Sequence, residues 1–466
     1  MPRVGPPRAD GPRHPSEELS LTSFTAAGSA ALSGPDWLVT RRAEAASRLA
    51  DTPAPSAAEE IWRYSGIDAF KIDDFAPVVP APTAAGDAVL AEARAAADRI
   101  GPRAALVVTW QGAVVALEPA GATAPGLDIA VAGAGPLAHD EAPPTSDAAS
   151  ADDLFDVIHD AFLADALVLT AAPRAVVTEP VVIVHVVSDT GAEGAAPAVF
   201  PDTRVVVGTS GELRVVEVLL SQQSDGGGLV CPSVQAEVGD DAHLWYANLQ
   251  LLGSGCTHIG VQRSAVGRAG TLESFTVGLG GRYARVRTES RLTGEGGRST
   301  LLAAYLGIGE QVHDFRTLQD HAAARTDSEL VFTGAVADRA RSVYSGLIRI
   351  RRGARRADAR QTNNNLVLSE GAHADSVPNL DIDENDVRCS HASTVGPIDE
   401  EQRFYLESRG IEPALAERLI VLGFFADLAG RAPIAGIGEW VAHAVAERLQ
   451  GRLPAEQEEP AEVPRG

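Results

Sequence analysis

The feature that most constrains the fold of this chain is a long series of short, strand-like segments, from Ala166 to about Val395, with little sign of helix. Apolar, β-branched runs such as VVIVHVV, TRVVVG and LRVVEVLL are separated by Gly, Asp, Ser and Asn. Turn-like pieces recur at Gly239, Gly267 and Gly294, at intervals of 28 and 27 residues. Recurrent short strands with turns at loosely regular offsets are typical of a solenoid, in which each coil covers the apolar face of its neighbour.

A parallel β-helix is the fold that this pattern favours, and a β-sandwich is the competing interpretation. A sandwich rarely needs about 230 residues of unbroken strand and turn, whereas a β-helix simply adds coils. The open ends of a β-helix expose unpaired strand edges, which helical modules on both sides would cover.

Changes in composition and in the spacing of apolar residues divide the chain into five segments. Residues 1–35 are rich in Pro, Gly and charge, so they are predicted to be disordered. The remaining predicted segments are a mostly helical N-terminal domain that includes a hairpin around Gln111-Gly112 (36–165), the β core (166–396), a C-terminal helical domain (397–452) and a mobile acidic tail (453–466).

Periodicity and end signals predict the helices of the flanking domains. Gly410 stands at the C′ position of DEEQRFYLESRG, and Pro413 lies in the first turn of the next helix. That next helix carries more apolar residues than one buried stripe requires, so part of its surface is a candidate partner site. The predicted helices are PDWLVTRRAEAASRLA, Ala57–Ser65, Asp87–Ile100, about Asp153–Leu163, DEEQRFYLESRG, IEPALAERLIVLGFFADL and about Gly438–Leu449.

Composition excludes several classes of protein. A formal net charge of -24 argues against nucleic-acid binding, because clustered Lys and Arg hold phosphate backbones. The single lysine, Lys71, lacks the neighbours of a phosphate-binding loop, so the chain is not a P-loop ATPase. Three cysteines do not suit a disulfide framework and indicate a reducing cytoplasm. The sequence shows neither a signal peptide nor an apolar run long enough to span a membrane.

The stretch from Gln361 to Gly396 is the first place to look for chemistry, because Cys389 and His391 stand one residue apart in it. In an extended segment both side chains project to the same face. Thiolate and imidazole are good iron ligands, but an iron-sulfur cluster normally takes about four protein ligands. Three dispersed cysteines cannot supply four thiolates, so the chain alone is a poor scaffold. A purely structural Cys-x-His pair is the competing interpretation.

Other cysteines and histidines favour structural interpretations. Cys256 and His258 repeat the same spacing, which shows that spacing alone proves nothing, and Cys231 is predicted to be a buried apolar residue. His313 and His321 are either metal ligands or hydrogen-bonded residues of the coils, the second being favoured. The six arginines between Arg349 and Arg360 are predicted to form a solvated face paired with carboxylates, with docking of an acidic partner as the alternative.

Several long motifs occur in order between about 311 and 428: QVHDFRTLQDH, RSVYSGLIRI, the Gln361–Gly396 stretch and DEEQRFYLESRGIEPALAERLIVLGF. Together they resemble the SufB/SufD family of iron-sulfur cluster assembly proteins. PDWLVTRRAEA and EEIWRYSGIDAF extend the similarity over most of residues 35–428. The SufB branch usually has Glu after the His and Cys after the Asn379–Ile382 segment. Both are missing here, so the chain is more similar to the SufD branch, from which Ala392-Ser393 is a small departure.

The resemblance implies a right-handed parallel β-helix core with helical domains at both ends, and no catalysis by the chain itself. It implies a heterodimer with a SufB-like paralogue, and binding of a SufC-like ABC ATPase by residues from about Asp399 to Leu428. No cofactor would be held tightly by the isolated chain. A transient iron-sulfur cluster or iron would contact His391, as metal ligand, and Cys389 at the interface with the paralogue. A homodimer of the chain alone is left open.

A second functional hypothesis is a stand-alone β-helix enzyme that is carbohydrate-active or metal-dependent. Such an enzyme needs paired carboxylates or a complete metal site on one face of the coils. The sequence contains many acidic residues, but no motif singles out a pair of them.

Overall fold

Two long sheets of mainly parallel strands form the centre of the molecule. The structure is a computed structural model that describes residues 21–78, 86–119, 124–133, 152–188, 195–223 and 225–450. In chain order the strands are β1 (Phe75–Pro77), β2 (Ala105–Trp110), β3 (Ala113–Pro119), β4 (Leu127–Gly133), β5 (Asp165–Ala171), β6 (Val181–Val187), β7 (Ala196–Val199), β8 (Asp202–Val207), β9 (Glu212–Ser221), β10 (Gly227–Val230), β11 (Ser233–Val238), β12 (His243–Leu251), β13 (Gly255–Val266), β14 (Thr271–Gly278), β15 (Tyr283–Leu292), β16 (Arg298–Gly307), β17 (Val312–His321), β18 (Asp327–Val336), β19 (Arg341–Ile350), β20 (Asp358–Val367), β21 (His373–Ile382) and β22 (Arg388–Gly396).

Successive strands from β11 onward alternate between the two sheets. The first sheet has the order β21-β19-β17-β15-β13-β11-β8-β5-β4, and β1, β7 and β10 join it at the side. The second has the order β22-β20-β18-β16-β14-β12-β9-β6-β2-β3. The pairs are parallel except for β2 with β3 and β4 with β5, at the N-terminal end.

The in-register ladders show that this architecture is a parallel β-helix. One ladder pairs His243 with Thr271, Thr271 with Arg298 and Arg298 with Asp327, so each coil takes about 30 residues. About seven coils are stacked in this way. The β-helix prediction is therefore confirmed. The β-sandwich alternative is wrong, since sandwiches are built from antiparallel pairs.

Alternation along each strand separates the interior of the coils from their outer faces. In β20, Ala359, Gln361, Asn363 and Asn365 are buried inside, while the residues between them face outward. Apolar side chains fill most of the interior of the coils, including Val215, Leu244 and Phe332. The C-terminal part of the interior also contains polar side chains, namely Gln361, Asn363 and Asn365.

Helices cover the outer faces of both sheets. They are α1 (Ala26–Ala30), α2 (Asp36–Arg48), α3 (Asp87–Ile100), α4 (Leu154–Phe162), α5 (Glu400–Ser408), α6 (Pro413–Ala429) and α7 (Ile437–Gln450). An apolar core on the outer face of the first sheet joins α2, α4 and the residues on either side of α1 to strands such as β7 and β10. A second core joins α3, α6 and α7 to the outer face of the second sheet. Within the described part of the chain no helix is both long and apolar enough to cross a bilayer.

The predicted ends of α5 and α6 are confirmed. Asp399 accepts hydrogen bonds from the first turn of α5, Gly410 takes a φ of 82° just beyond its end, and Pro413 opens α6. The helix predicted over 57–65 is wrong, because this segment holds only a 3-10 turn at Glu60–Trp62. Trp62 and Tyr64 were both expected to be packing anchors of this segment; Trp62 is buried, but the expectation for Tyr64 is wrong, because its side chain is 48% exposed.

Two predictions about the N-terminal region need correction. The disordered extension was predicted to reach residue 35, but Phe24 is buried against Phe162 and Phe200, so residues 21–35 are ordered. The hairpin predicted around Gln111-Gly112 is confirmed by the antiparallel pair of β2 and β3, but the segment predicted to be mostly helical also supplies β4, and all three strands belong to the two long sheets. The reason is that both faces of β2 are apolar and buried, and the strand pairs with β6. Residues 1–20 and 453–466, predicted to be disordered and mobile, lie outside the described residues.

Candidate functional site

The C-terminal end of the β-helix leaves inward-facing apolar side chains exposed. Leu380 and Ile382 on β21 are each 41% exposed, whereas their register partners one coil earlier, Ile348 and Ile350, are 0% exposed. Val395 on β22 is 45% exposed. These side chains have the inward orientation of core residues, but the described chain places no further coil over them. We call the surface formed by β21 and β22 the open end.

Strand edges add hydrogen-bonding capacity to the open end. β21 pairs only with β19, and β22 only with β20, among the described strands. One edge of each strand therefore carries backbone N–H and C=O groups without a neighbouring strand. Such an edge is a template for pairing with another chain.

Cys389 and His391 lie on this open end, and they point to the same face as the sequence predicted. Cys389 pairs in register with Ala359 and His391 with Gln361, and both partners are buried inside the coil. Cys389 is partly buried against a small apolar cluster that includes Ile348. His391 is exposed. Burial, with a smaller contribution from Asp358, raises the pKa of the Cys389 thiol, which is therefore protonated at neutral pH.

These two side chains do not make a complete metal site. Within the described ranges, no three His, Cys, Asp or Glu side chains are grouped closely enough to hold a metal ion. Most cluster and zinc sites use about four ligands. The pair can therefore contribute only part of a coordination sphere.

A layer of buried amides and phenols lies directly beneath the open end. Tyr305 Oη donates to Asn365 Oδ1 at 2.6 Å, and Asn365 Nδ2 donates to Asn363 Oδ1 at 2.8 Å. Asn363 Nδ2 donates back to Tyr305 Oη at 3.1 Å, which closes the ring. Burial raises the pKa of Tyr305 to about 12, so the phenol stays protonated. The sequence signal for this layer is the alternation of Gln361, Asn363 and Asn365, which places three polar side chains on the inner face of one strand.

Gln361 differs from those amides because its side chain is unpaired. It is 2% exposed, and neither Oε1 nor Nε2 has a hydrogen-bond partner among the described residues. Both atoms lie 2.8 Å from where a Cβ on Gly346 would stand, so the amide extends across the interior toward the first sheet. Gln361 is thus a buried polar group one layer below His391.

A second exposed apolar surface lies on the C-terminal helices. No residue of α5 is buried, and Phe404 is 72% exposed, with Tyr405 beside it also exposed. Leu415 and Leu419 of α6 are exposed as well, as the sequence analysis anticipated for part of this helix. Exposed aromatic and aliphatic side chains of this kind are typical of surfaces that bind another protein.

The other predicted cysteines and histidines are buried away from the open end. Cys231 and Cys256 are buried, as expected. His321 is hydrogen-bonded to Thr326 and Ser328, which confirms its structural interpretation.

His258 and His313 are also buried, but they lack the side-chain hydrogen bonds that hold His321. The His258 ring has no hydrogen-bond partner among the described residues, whereas the His313 ring interacts with the backbone of Leu306. This backbone contact favours the interpretation of His313 as a residue of the coils over that of a metal ligand. Burial, and to a lesser extent the His313 ring, lowers the pKa of His258 to about 3. Burial and then Arg448 lower the pKa of His313 to about 4.

Arginines near the end of the β-helix form the solvated, paired face that was predicted. Arg349 contacts Asp381 at 3.1 Å, and Arg351 contacts Asp320 at 2.7 Å. Looser pairs join Arg355, Arg356 and Arg360 to acidic neighbours. The arginine charge is thus largely matched by carboxylates on adjacent coils.

Buried carboxylates are held by guanidinium groups where the N-terminal helices meet the first sheet. Arg285 Nη1 lies 2.6 Å from Asp314 Oδ2, and Arg316 Nε lies 2.6 Å from Asp314 Oδ1. Arg287 is paired with Asp153 and Asp156 of the α4 N-terminus. These carboxylates anchor α4 and the Trp62 segment to the β-helix. They are not available as the acid pair that a glycosidase requires.

Comparison with known proteins gives a consistent family assignment. A family model described as "SUF system FeS cluster assembly, SufBD core domain" matches residues 188–424. The iron-sulfur cluster assembly SufBD family protein Rv1462 of Mycobacterium tuberculosis is 35% identical over 233 residues, 48% of this chain and 59% of that protein. The iron-sulfur cluster assembly protein SufD of Escherichia coli is 33% identical over 214 residues (46% of this chain, 51% of that protein), and SufD of Bacillus subtilis is 30% identical over 271 residues (58% and 60%). The chain thus spans between half and two thirds of the length of these relatives.

Proposed function

The chain belongs to the SufBD core family of the SUF system for iron-sulfur cluster assembly, and we propose that it acts there as a SufD-like subunit. In this proposal it pairs with a SufB-like paralogue and binds a SufC-like ABC ATPase. It performs no catalysis itself, and ATP hydrolysis belongs to the partner. Two of the curated relatives carry the name SufD, which supports the branch.

The open end is the observation that carries the proposal. Leu380, Ile382 and Val395 have the inward orientation of core residues but remain exposed, and the two strand edges beside them lack neighbours among the described strands. Covering these side chains is favourable by about 25 cal/mol for each Å² removed from water. A paralogue with the same coil architecture would present matching edges and a matching interior. We therefore assign the open end to the paralogue.

The cargo of this interface is a nascent iron-sulfur cluster or its iron. His391 is proposed as a ligand because its imidazole is exposed on the open end. Cys389, which is partly buried, is the secondary candidate. Because two side chains cannot fill a coordination sphere of about four, the paralogue supplies the remaining ligands. The isolated chain then binds the cargo weakly or not at all.

The surface of α5 and α6 is proposed as the ATPase site. It is formed by the helices, whereas the open end is formed by β21 and β22, and it presents Phe404 and Tyr405 to solvent. Aromatic side chains of this kind dominate the energetics of protein interfaces. With two surfaces, the chain can hold the paralogue and the ATPase at the same time.

Co-expression with the paralogue and ATPase tests the proposal. We expect Val395→Arg to abolish co-purification of the paralogue, because a charge would be buried in the interface. Val176→Arg is the matched control, since Val176 is also an exposed valine of the β-helix but lies at its N-terminal end. Retention of the paralogue by the Val395 variant, or equal loss with both variants, would remove the open end as the pairing surface.

A further inference from the structure

We propose that Gln361 is a positioning residue for His391. Its side-chain carbonyl accepts a hydrogen bond from one ring nitrogen of His391, which leaves the other nitrogen directed out of the open end. The functional consequence of this contact rests on the cargo role proposed above for His391. The proposed hydrogen bond involves residues of this chain alone, and it forms when the His391 ring turns toward the Gln361 amide, which has no partner among the described residues.

The register of the strands places the two residues next to each other. Gln361 on β20 faces inward, and His391 on β22 is its direct partner in a parallel ladder, so His391 lies on the same side of its strand. Adjacent strands lie about 4.8 Å apart, so an inward side chain of one layer contacts its partner in the next. His391 is therefore the polar side chain stacked directly on the Gln361 layer.

The Gln361 amide needs a partner. It is 2% exposed, and neither polar atom is hydrogen-bonded in the part of the chain that the structure describes. Leaving such a buried group unpaired costs about 1–3 kcal/mol. An exposed histidine on the terminal strand can turn about its side-chain bonds to supply a donor. Satisfying the amide thus favours the inward orientation of the ring.

Neighbouring polar groups are mostly committed elsewhere. The hydroxyl of Tyr344 is hydrogen-bonded to Thr317 at 3.0 Å. Asn363 and Asn365 are bonded to each other and to Tyr305. Ser376 Oγ on the facing strand β21 is the competing partner, because it is also unpaired within the described residues. The experiment therefore includes a Ser376 variant.

Imidazole chemistry explains why this contact matters. A neutral imidazole has one N–H and one lone pair, so an acceptor at one nitrogen decides which nitrogen is free to bind a metal. Metal-binding histidines almost always donate their other N–H to a carbonyl or carboxylate, and losing that partner typically costs 10- to 100-fold in affinity or activity. Gln361 Oε1 supplies such an acceptor from inside the coil.

The tautomer of His391 in the full chain tests the contact directly. Long-range ¹H–¹⁵N correlation of histidine-labelled protein shows which ring nitrogen carries the proton, and His391→Gln identifies the signal. We expect one tautomer in the wild type, a mixture of both in Gln361→Met, and restoration of one tautomer in Gln361→Glu, which retains an acceptor. Gln319→Met is the matched control, since it removes a buried glutamine from a coil further inside.

Two results would overturn the positioning role. One is an unchanged tautomer distribution in Gln361→Met; the other is loss of the single tautomer in Ser376→Ala instead. Iron loading of the co-expressed complex supplies the functional arm, with a decrease of about 10-fold or more expected for Gln361→Met. If His391→Ala leaves iron loading intact while the tautomer depends on Gln361, the cargo role fails and the contact stands. If His391→Ala lowers loading but Gln361→Met does not, the positioning role fails alone.

Discussion

Tyr305 lies in the space that any side chain at Gly334 would occupy. The two residues are register partners on β16 and β18, and a Cβ on Gly334 would stand 1.8 Å from Tyr305 Cε2. Because Gly334 leaves this space open, the Tyr305 ring crosses β18 and its hydroxyl reaches Asn365 on β20. One side chain therefore ties three consecutive coils together beneath the open end.

Replacing Gly334 by alanine should consequently destabilise the fold. Overpacking of this kind costs about 1–3 kcal/mol in the free energy of unfolding, which urea denaturation measures. Gly423→Ala in α6 is the control, because nothing lies within 4 Å of the added methyl group. Its expected effect is a gain of up to about 1 kcal/mol from helix propensity. A loss of similar size in both variants would contradict this account of the Tyr305 packing.

Most of the fold could be predicted because each coil repeats the same local pattern. Short β-branched runs separated by turns indicated the β-helix, and the end signals Gly410 and Pro413 located the boundary between α5 and α6. The joining of β2 to the second sheet could not be predicted in the same way. It depends on pairing between Ala105–Trp110 and Val181–Val187, which are distant in sequence. Local patterns report periodicity, but they do not report such partners.

The candidate site was predictable only in part. Alternation along a strand placed Cys389 and His391 on one face, and the structure agrees. Exposure of that face depends on β22 being the last strand of its sheet among the described residues, which the Cys-x-His spacing does not reveal. His258, with the same spacing after Cys256, is buried in the middle of the solenoid. Position along the axis thus distinguishes two identical sequence patterns.

Asp314 should be essential for holding the segment that contains Trp62 against the β-helix. It is fully buried between Arg285 and Arg316, and the Arg285 guanidinium also stacks 3.8 Å from the Trp62 ring. Asp314→Ala would leave two buried cations uncompensated, and we expect a loss of about 3–5 kcal/mol in the free energy of unfolding. Glu310→Ala, which removes an exposed partner of Arg339, should change it by less than about 1 kcal/mol. Equal effects in chemical denaturation would show that the buried pair has no special importance.

Acid should destabilise the fold through its buried histidines. The pKa values of His258 and His313 fall from 6.5 to about 3 and about 4, chiefly because burial disfavours the charged ring. Between these values and 6.5 the unfolded chain binds more protons than the folded one, so stability is lost as pH falls below about 6.5. Each histidine contributes a slope of about 1.4 kcal/mol per pH unit.

Unfolding free energies measured between pH 7 and pH 5 check this prediction. His313→Gln should reduce the change of the unfolding free energy with pH by about 1.4 kcal/mol per pH unit. This reduction is expected even if the substitution lowers the unfolding free energy at every pH. His373→Gln serves as the control because His373 is exposed. An unchanged slope in the His313 variant would mean that this ring is not held neutral by burial.

Phe404 should be a main contact for the ATPase partner. Phe404→Arg replaces the most exposed aromatic side chain of α5 by a charge, and we expect binding of the ATPase to weaken about 10-fold or more. Val39→Arg introduces the same charge at an exposed apolar position on α2, and we expect no change. Calorimetry with the purified ATPase measures both affinities. Pairing with the paralogue should be the same in both variants, because the open end is untouched.

His391 should be required for cargo binding but not for assembly of the complex. In the co-expressed complex, His391→Ala removes a proposed ligand, so iron and sulfide contents should fall about 10-fold or more while the subunits still co-purify. His373→Ala is the matched control, since it removes another exposed histidine from the neighbouring terminal strand β21. Cys389→Ser should have a smaller effect, because the Cys389 side chain is partly buried against Ile348 and its neighbours rather than exposed. Loss of iron in the His373 variant, or none in the His391 variant, would assign the cargo site to another part of the interface.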